Sequence, residues 1–342
     1  MQIQYFNNLR AFACYLVILT HSAMPAVDLS FGPFMVLFSI MGSPSSELFV
    51  TMSSSLLAPT RLELLAFYKK RFSKLIPPFF FWSFIFVIIK FFQNELTVSE
   101  SINKLLLFPI LPVTGVYWFV YAICGLYLII PIVSPWLKES NKKTLQVILA
   151  IWFLTLLIPY LNLIFHSNIY EINGHYNFIT VYLGGFIGYL FLGVYLRQYP
   201  IIFKRKLKGI CIISALIVLG ATPLLYAYFV DRKFLEIASH NLSITSALFV
   251  TSIFLFFQNF TLPDPIERAM NIIAKYSFGI YLMHILVIRD FVWVLFESNR
   301  LSHPLLETPL ISLLSLLICL IICRLIVLLP MSRYIIGVEK QS

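Results

Sequence analysis

The chain has 342 residues, 60% of them apolar and only 12% charged, with a formal net charge of +10. A water-soluble chain of this length cannot hide so much apolar surface in one core, so lipid is the expected solvent for most of it. The basic residues sit in short blocks between long apolar runs, which argues against the continuous basic face of a nucleic-acid-binding domain.

Ten runs meet the roughly 20-residue length that a bilayer requires. They cover about 9–27, 34–58, 76–93, 115–136, 145–165, 178–198, 208–229, 240–258, 270–295 and 308–330. The first has Arg10 at its mouth, as a signal peptide would. Ser22-Ala23-Met24-Pro25 is a poor cleavage site, however, and polar His21 interrupts the run, so the segment is expected to be retained. Lys and Arg collect on one side, eighteen in one set of alternate segments against four in the other. That bias predicts cytoplasmic amino and carboxyl termini and an even number of spans. The intervening segments are too short for a core of their own. Residues 1–342 therefore read as one domain, an all-α integral membrane bundle of about ten transmembrane helices. The five cysteines, Cys14, Cys124, Cys211, Cys319 and Cys323, lie inside apolar runs and read as packing residues rather than a disulfide framework.

Ionisable groups at membrane depth are costly and point to function, although some only tie helices together. In the first run Arg10 and His21 lie about 16 Å apart along a helix and share a face. The histidine suits a base, since its ordinary pKa leaves it able to accept a proton; the pair also fits an interfacial anchor and an interhelical hydrogen bond. Glu47 falls near the middle of the second run, with Ser54 on roughly the same face. It can orient an imidazole, neutralise a cation or carry protons, or serve as a buried structural group. The segment Phe67 to Pro78 reads as a cytoplasmic loop, where Lys69, Lys70, Arg71 and Lys74 suit polyphosphate and Arg71 can bind it bidentately. Positive-inside bias alone explains much of the same charge. Tyr117 and Trp118 open the fourth run at an interface where aromatic belts are expected. In the ninth run Ser277 and His284 share a face, and Gly279 admits a close neighbour. His284 lies at a depth similar to that of His21, as a cavity partner or a scaffold residue. Arg289 and Asp290 beyond it read as structural.

Taken in order, these features resemble the acyltransferase 3 family of membrane acyltransferases across the whole chain. Arg10 and His21 match its basic residue, ten others, then histidine. Glu47-Leu48-Phe49-Val50-Thr51-Met52-Ser53-Ser54 is similar to its acidic-aromatic-Ser-Gly segment, with Ser54 in place of glycine. Tyr68, Arg71, Lys74 and Pro77 resemble Tyr-x-x-Arg-x-x-Arg-x-x-Pro, with lysine at the second arginine. Trp118-Phe119, Tyr127 and Pro131 look like its fourth-helix segment, and Ser277-Phe278-Gly279-Ile280-Tyr281-Leu282-Met283-His284 looks like its late-helix segment. The chain resembles the stand-alone members, which lack a soluble hydrolase-like domain.

The resemblance implies a multi-pass protein of the bacterial inner membrane that uses acyl-coenzyme A, most often acetyl-CoA, as donor. The implied acceptor is a hydroxyl of a surface or lipid-linked glycan, and no metal or nucleic acid is expected. Arg10, Lys70, Arg71 and Lys74 would hold the donor's phosphates. His21 would act as base or acyl carrier, with Glu47 orienting its ring. Ser54, Trp118, Ser277, Tyr281 and His284 would meet the substrate. The rival reading is a secondary transporter or lipid-linked sugar flippase, which also places ionisable residues near the midplane; no internal repeat or pair of broken helices supports it.

Overall fold

A backbone amide in lipid finds no solvent partner, so each apolar run is driven toward helix, where its hydrogen bonds close within the segment. The computed structural model describes residues 4–23, 44–158, 185–203, 206–229, 240–297 and 304–339, with isolated positions at 38, 41–42, 160, 171–172, 175–176 and 237. The helices are α1 (Gln4–Ala23), α2 (Ser45–Leu57), α3 (Leu64–Phe92), α4 (Val98–Leu107), α5 (Trp118–Glu139), entered through a 3-10 turn (Gly115–Tyr117), and α6 (Lys142–Thr155). They continue as α7 (Ile187–Gln198), α8 (Lys206–Phe229), α9 (Ile244–Asn259) and α10 (Asp264–Leu286). A π-helical turn (Val287–Val292) leads into α11 (Trp293–Glu297), followed by α12 (Pro304–Ile326) and α13 (Ser332–Ile336). A two-residue antiparallel ladder pairs Glu171–Ile172 with His175–Tyr176.

Among the described residues, four helical stretches, Leu64–Phe92, Gly115–Glu139, Asp264–Phe296 and Leu306–Ile326, are long and apolar enough to cross a membrane. Large apolar side chains such as Phe84, Ile132, Ile151, Ile217 and Leu317 face outward. Water would penalise so wide an apolar exterior and hydrocarbon does not, as suits an integral membrane protein. Parts of several sequence-read runs, 24–27, 34–37, 161–165 and 178–184, lie outside the described residues. So do Lys204, Arg205, Arg232, Lys233, Arg300 and Lys340 of the charge count.

The structure corrects several readings. Phe67 to Pro78 is not a loop: α3 starts at Leu64 and runs through Pro77 and Pro78. Proline's fixed φ is helical; what it removes is the N–H, here the donors that would have reached the carbonyls of Ser73 and Lys74. Glu47 lies in the first turn of α2, because Pro44 stands at the N-cap position and a helix starts after it. The apolar-run reading skipped α4, although its start is written in a capping box: Thr97 N donates to Glu100 Oε2 at 2.8 Å and Glu100 N to Thr97 Oγ1 at 3.3 Å.

At the centre of the bundle, α1 packs against α2, α9, α10 and α12. It runs parallel to α10, and three levels of contact fix their register. Gln4 Nε2 and Asn7 Nδ2 donate to Asn271 Oδ1 at 2.9 and 2.7 Å. Higher up, the Cys14 thiol donates to the Ser277 carbonyl at 3.9 Å, and the His21 and His284 rings lie 5.2 Å apart between centres. Two tyrosines lock the start of α5 to α10 reciprocally: Tyr117 donates to the Leu282 carbonyl and Tyr281 to the Val116 carbonyl, both at 2.6 Å.

Glycine is required at two contacts. A Cβ on Gly193 of α7 would stand 2.1 Å from the Thr51 carbonyl of α2, and at Gly337 the chain leaves α13 with φ +74°, a left-handed C-cap. Cys14, Cys124, Cys319 and Cys323 are free, and all but Cys124 are buried.

Asp290, in the π-helical turn, takes its partner from α3. Lys90 Nζ donates to Asp290 Oδ1 at 2.7 Å, Glu95 Oε1 at 2.8 Å and Gln93 Oε1 at 2.9 Å, with its side chain only 7% exposed. Replacing Lys90 leaves the largely buried Asp290 carboxylate without its partner. Lys90→Met is expected to lower stability by about 3 kcal/mol, measured as thermal unfolding in detergent, and Lys90→Met with Asp290→Leu to recover part of that loss.

Candidate active site

Two cavities follow one another along a single face of α1. The first, of about 300 Å³, opens near Arg10. Around it stand Met52 and Ser53 of α2, Arg71 and Lys74 of α3, Tyr127 of α5, and Lys275 and Ser277 of α10. Ile336, Gly337 and Val338 close one wall, beside the α3 backbone: a Cβ on Gly337 would lie 3.6 Å from the Lys74 carbonyl. Among the described residues, the lining holds four cations, Arg10, Arg71, Lys74 and Lys275, and no carboxylate. Four like charges around one cavity repel, and an anion between them relieves that repulsion. The Arg71 guanidinium lies 5.6 Å above the Phe67 ring, and its buried Nε has no hydrogen-bond partner among the described residues. A stranded donor beside three other cations is the arrangement that an oxyanion completes.

The second cavity, of about 160 Å³, contains His21. Thr20, Ser45, Ser46, Trp118 and Asn241 give it a lining of hydroxyls, an amide and an indole. Thr20 and Gly42 bring α1 and the start of the α2 region together; a Cβ on Gly42 would stand 1.6 Å from Thr20 Oγ1. Phe49, Phe119 and Tyr281 line both cavities.

The helical period thus puts Arg10 and His21 on one face, each in its own cavity. Trp118 borders the second, Ser277 the first and Tyr281 both. His284 is wholly buried behind His21. Its Nδ1 donates to the Tyr281 carbonyl at 2.5 Å, and since a carbonyl only accepts, Nδ1 carries the proton. In the neutral ring Nε2 is then an acceptor, and it has no partner among the described residues. The π-helical turn begins three residues later, a distortion often found beside functional sites. Glu47 is fully buried; Oε2 accepts from Ser46 Oγ at 2.9 Å, and Oε1 has no partner among the described residues. It therefore sits behind Ser46, which faces the second cavity.

Two expected residues are elsewhere. Ser54 does share a face with Glu47, but that face is packed: Ser54 is fully buried and its hydroxyl donates to the Val50 carbonyl at 2.8 Å. Arg197 of α7 donates to the neighbouring Ser55 carbonyl at 2.5 Å on the same side. Ser53, one residue and about 100° around the helix, takes the place at the cavity. Lys70 is exposed and outside the lining. Lys275, Asn241, Ser53 and the segment 336–338 were not legible as site residues. In the sequence Lys275 carries the same signal as positive-inside charge, and nothing local marks the others.

The charge geometry makes a measurable prediction. Arg71→Gln or Lys275→Gln is expected to weaken pyrophosphate binding to the purified protein about tenfold, as loss of a charge-assisted bond should. Lys70→Gln is expected to leave it within twofold, as measured by titration calorimetry.

A family model described as an acyltransferase domain, acyltransferase 3, matches residues 3–324 of the chain. Apart from the wall at 336–338, both cavities are built from residues inside that span. No curated protein and no solved structure matches the chain.

Proposed function

The chain belongs to the acyltransferase 3 family, and from that premise we propose that it is an O-acyltransferase of the bacterial inner membrane. It moves an acyl group, acetyl foremost, from acyl-coenzyme A on the cytoplasmic side to a hydroxyl of a surface or lipid-linked polysaccharide. One observation carries the reading: a cavity that among the described residues is lined by four cations and no carboxylate lies in line with a polar cavity holding a histidine, on one face of α1. A thioester whose carrier ends in phosphates, and an acceptor whose proton must be removed, call for such a pair. Basic residues concentrated toward the Arg10 end support a cytoplasmic opening there. The parallel run of α1 and α10 suits first and ninth spans of a ten-helix bundle with both termini cytoplasmic.

Arg10, Arg71, Lys74 and Lys275 hold the phosphates of acyl-coenzyme A in charge-assisted bonds. The acceptor lies against Trp118 in the second cavity. His21 takes the proton of the acceptor hydroxyl as its oxygen attacks the thioester carbon. The carbon–sulfur bond breaks, the thiolate of coenzyme A leaves, and the proton passes from His21 to that sulfur. Negative charge gathers meanwhile on the thioester oxygen, where the Ser45 hydroxyl and the Asn241 amide can donate. His284, with its proton committed to the Tyr281 carbonyl, packs its ring beside the His21 imidazole and is a positioning residue. Glu47 holds Ser46 in place from behind.

His21→Ala in purified, folded protein is expected to lower transfer of radiolabelled acetyl from acetyl-CoA to membrane glycan by at least about a hundredfold. Coenzyme A binding should survive, since the cations occupy the other cavity. Wild-type transfer by this variant would overturn the assignment. Movement of unacylated glycan across vesicles, without label incorporation, would favour a transporter.

A further inference from the structure

Phe49 of α2, Phe119 of α5 and Tyr281 of α10 are the side chains common to the walls of both cavities. Phe119 is the middle ring, 5.9 Å from Phe49 and 5.8 Å from Tyr281 between centres. Tyr281 is pinned: its hydroxyl donates to the Val116 carbonyl at 2.6 Å, and the rings of His284 and Tyr117 stand 5.7 and 6.4 Å away. Phe49 and Phe119 are half-buried and carry no polar atom, so either can turn to another rotamer without breaking a side-chain hydrogen bond.

We infer that these three rings form a septum that sets the length of the acyl group transferred, with Tyr281 as fixed post and Phe119 as movable leaf. The inference rests on the acyl-transfer reading above. With the donor's phosphates among the cations, the thioester must cross the plane of the rings to reach His21. The space beyond is small. The second cavity, at about 160 Å³, is roughly half the size of the first, at about 300 Å³, and the acceptor hydroxyl must share it. A two-carbon acyl group fits once Phe119 turns aside. An eight-carbon chain overfills the cavity or stays threaded through the septum and props it open. Because Phe49 and Phe119 border both spaces, truncating either one merges them.

The test compares full-length wild type, Phe119→Ala, Phe119→Leu and Phe49→Ala in membrane vesicles. Each receives acetyl-, butyryl- and octanoyl-coenzyme A labelled in the acyl group, and both thiol release and label incorporation into glycan are followed. Wild type is expected to prefer acetyl over octanoyl at least tenfold. Phe119→Ala and Phe49→Ala should shrink that preference about tenfold, with Phe119→Leu between. A uniform fall for all three donors in the variants, or equal use of acetyl and octanoyl by wild type, would overturn the septum while leaving acyl transfer intact. Absence of transfer from every donor by wild type would overturn the acyl-transfer reading itself, and the septum with it.

Discussion

Apolar side chains gain little by leaving hydrocarbon for a helix interface, so polar contacts and close packing must hold a membrane bundle together. The contact between α1 and α10 shows how this chain meets that condition. Along α1 the polar residues Asn7, Cys14 and His21 recur every seven positions, and they meet Asn271, Ser277 and His284 on the parallel helix. A seven-residue repeat keeps one stripe of each helix facing its partner. Slipping the register by one turn would move the helices about 5.4 Å past each other and part every level of the seam at once. The same seam that holds the bundle's centre therefore sets the two imidazoles side by side.

The rest of the site is hung on that pair of helices. Tyr117 and Tyr281 each spend a hydroxyl on a carbonyl across the α5–α10 contact, which places Phe119 and Trp118 opposite the α1 face. Gly193 lets α7 approach the α2 backbone, so α2 turns Phe49 and Ser53 inward while Ser54 and Ser55 are packed away. On the opposite side Pro77 and Pro78 leave α3 helical but short of two backbone donors. Gly337, in its left-handed turn, brings the last wall of the cationic cavity beside that stretch of backbone. Cations gathered from α1, α3 and α10 would be unfavourable without a counter-charge, and the stranded Nε of Arg71 records the same incompleteness.

What could be read along the chain followed from periods that do not depend on neighbours. A helix rotates by a fixed angle per residue, so Arg10 with His21 and Ser277 with His284 had to share faces. The same rule could not say which face of α2 meets a cavity; the choice between Ser53 and Ser54 depends on where α7 packs. Run length alone puts Glu47 mid-helix, because hydropathy does not distinguish Pro44 inside an apolar run from Pro44 at the start of a helix. The basic segment looked like a loop because two prolines and five polar residues dominate its composition, whereas proline's φ leaves the helix intact. At 10 residues α4 is too short to show as a membrane-length apolar run, even though Thr97 and Glu100 mark its start.

By itself the sequence determined an all-helical, lipid-solvated chain, the family to which it belongs, and a first helix carrying a cation and a histidine on one side. The first and the last are properties of composition and local period; the family rests on the resemblance of motifs taken in order along the chain. Only the tertiary structure decided that His284 stands against His21, that Lys275 joins the cations while Lys70 stays outside, and that three rings from three helices divide the cavity in two. Those arrangements depend on how helices distant in the chain are rotated about their own axes and slid against each other. That rotation is set by glycines, tyrosine–carbonyl bonds and a polar seam whose partners lie more than a hundred and sixty residues apart, beyond the reach of any local pattern.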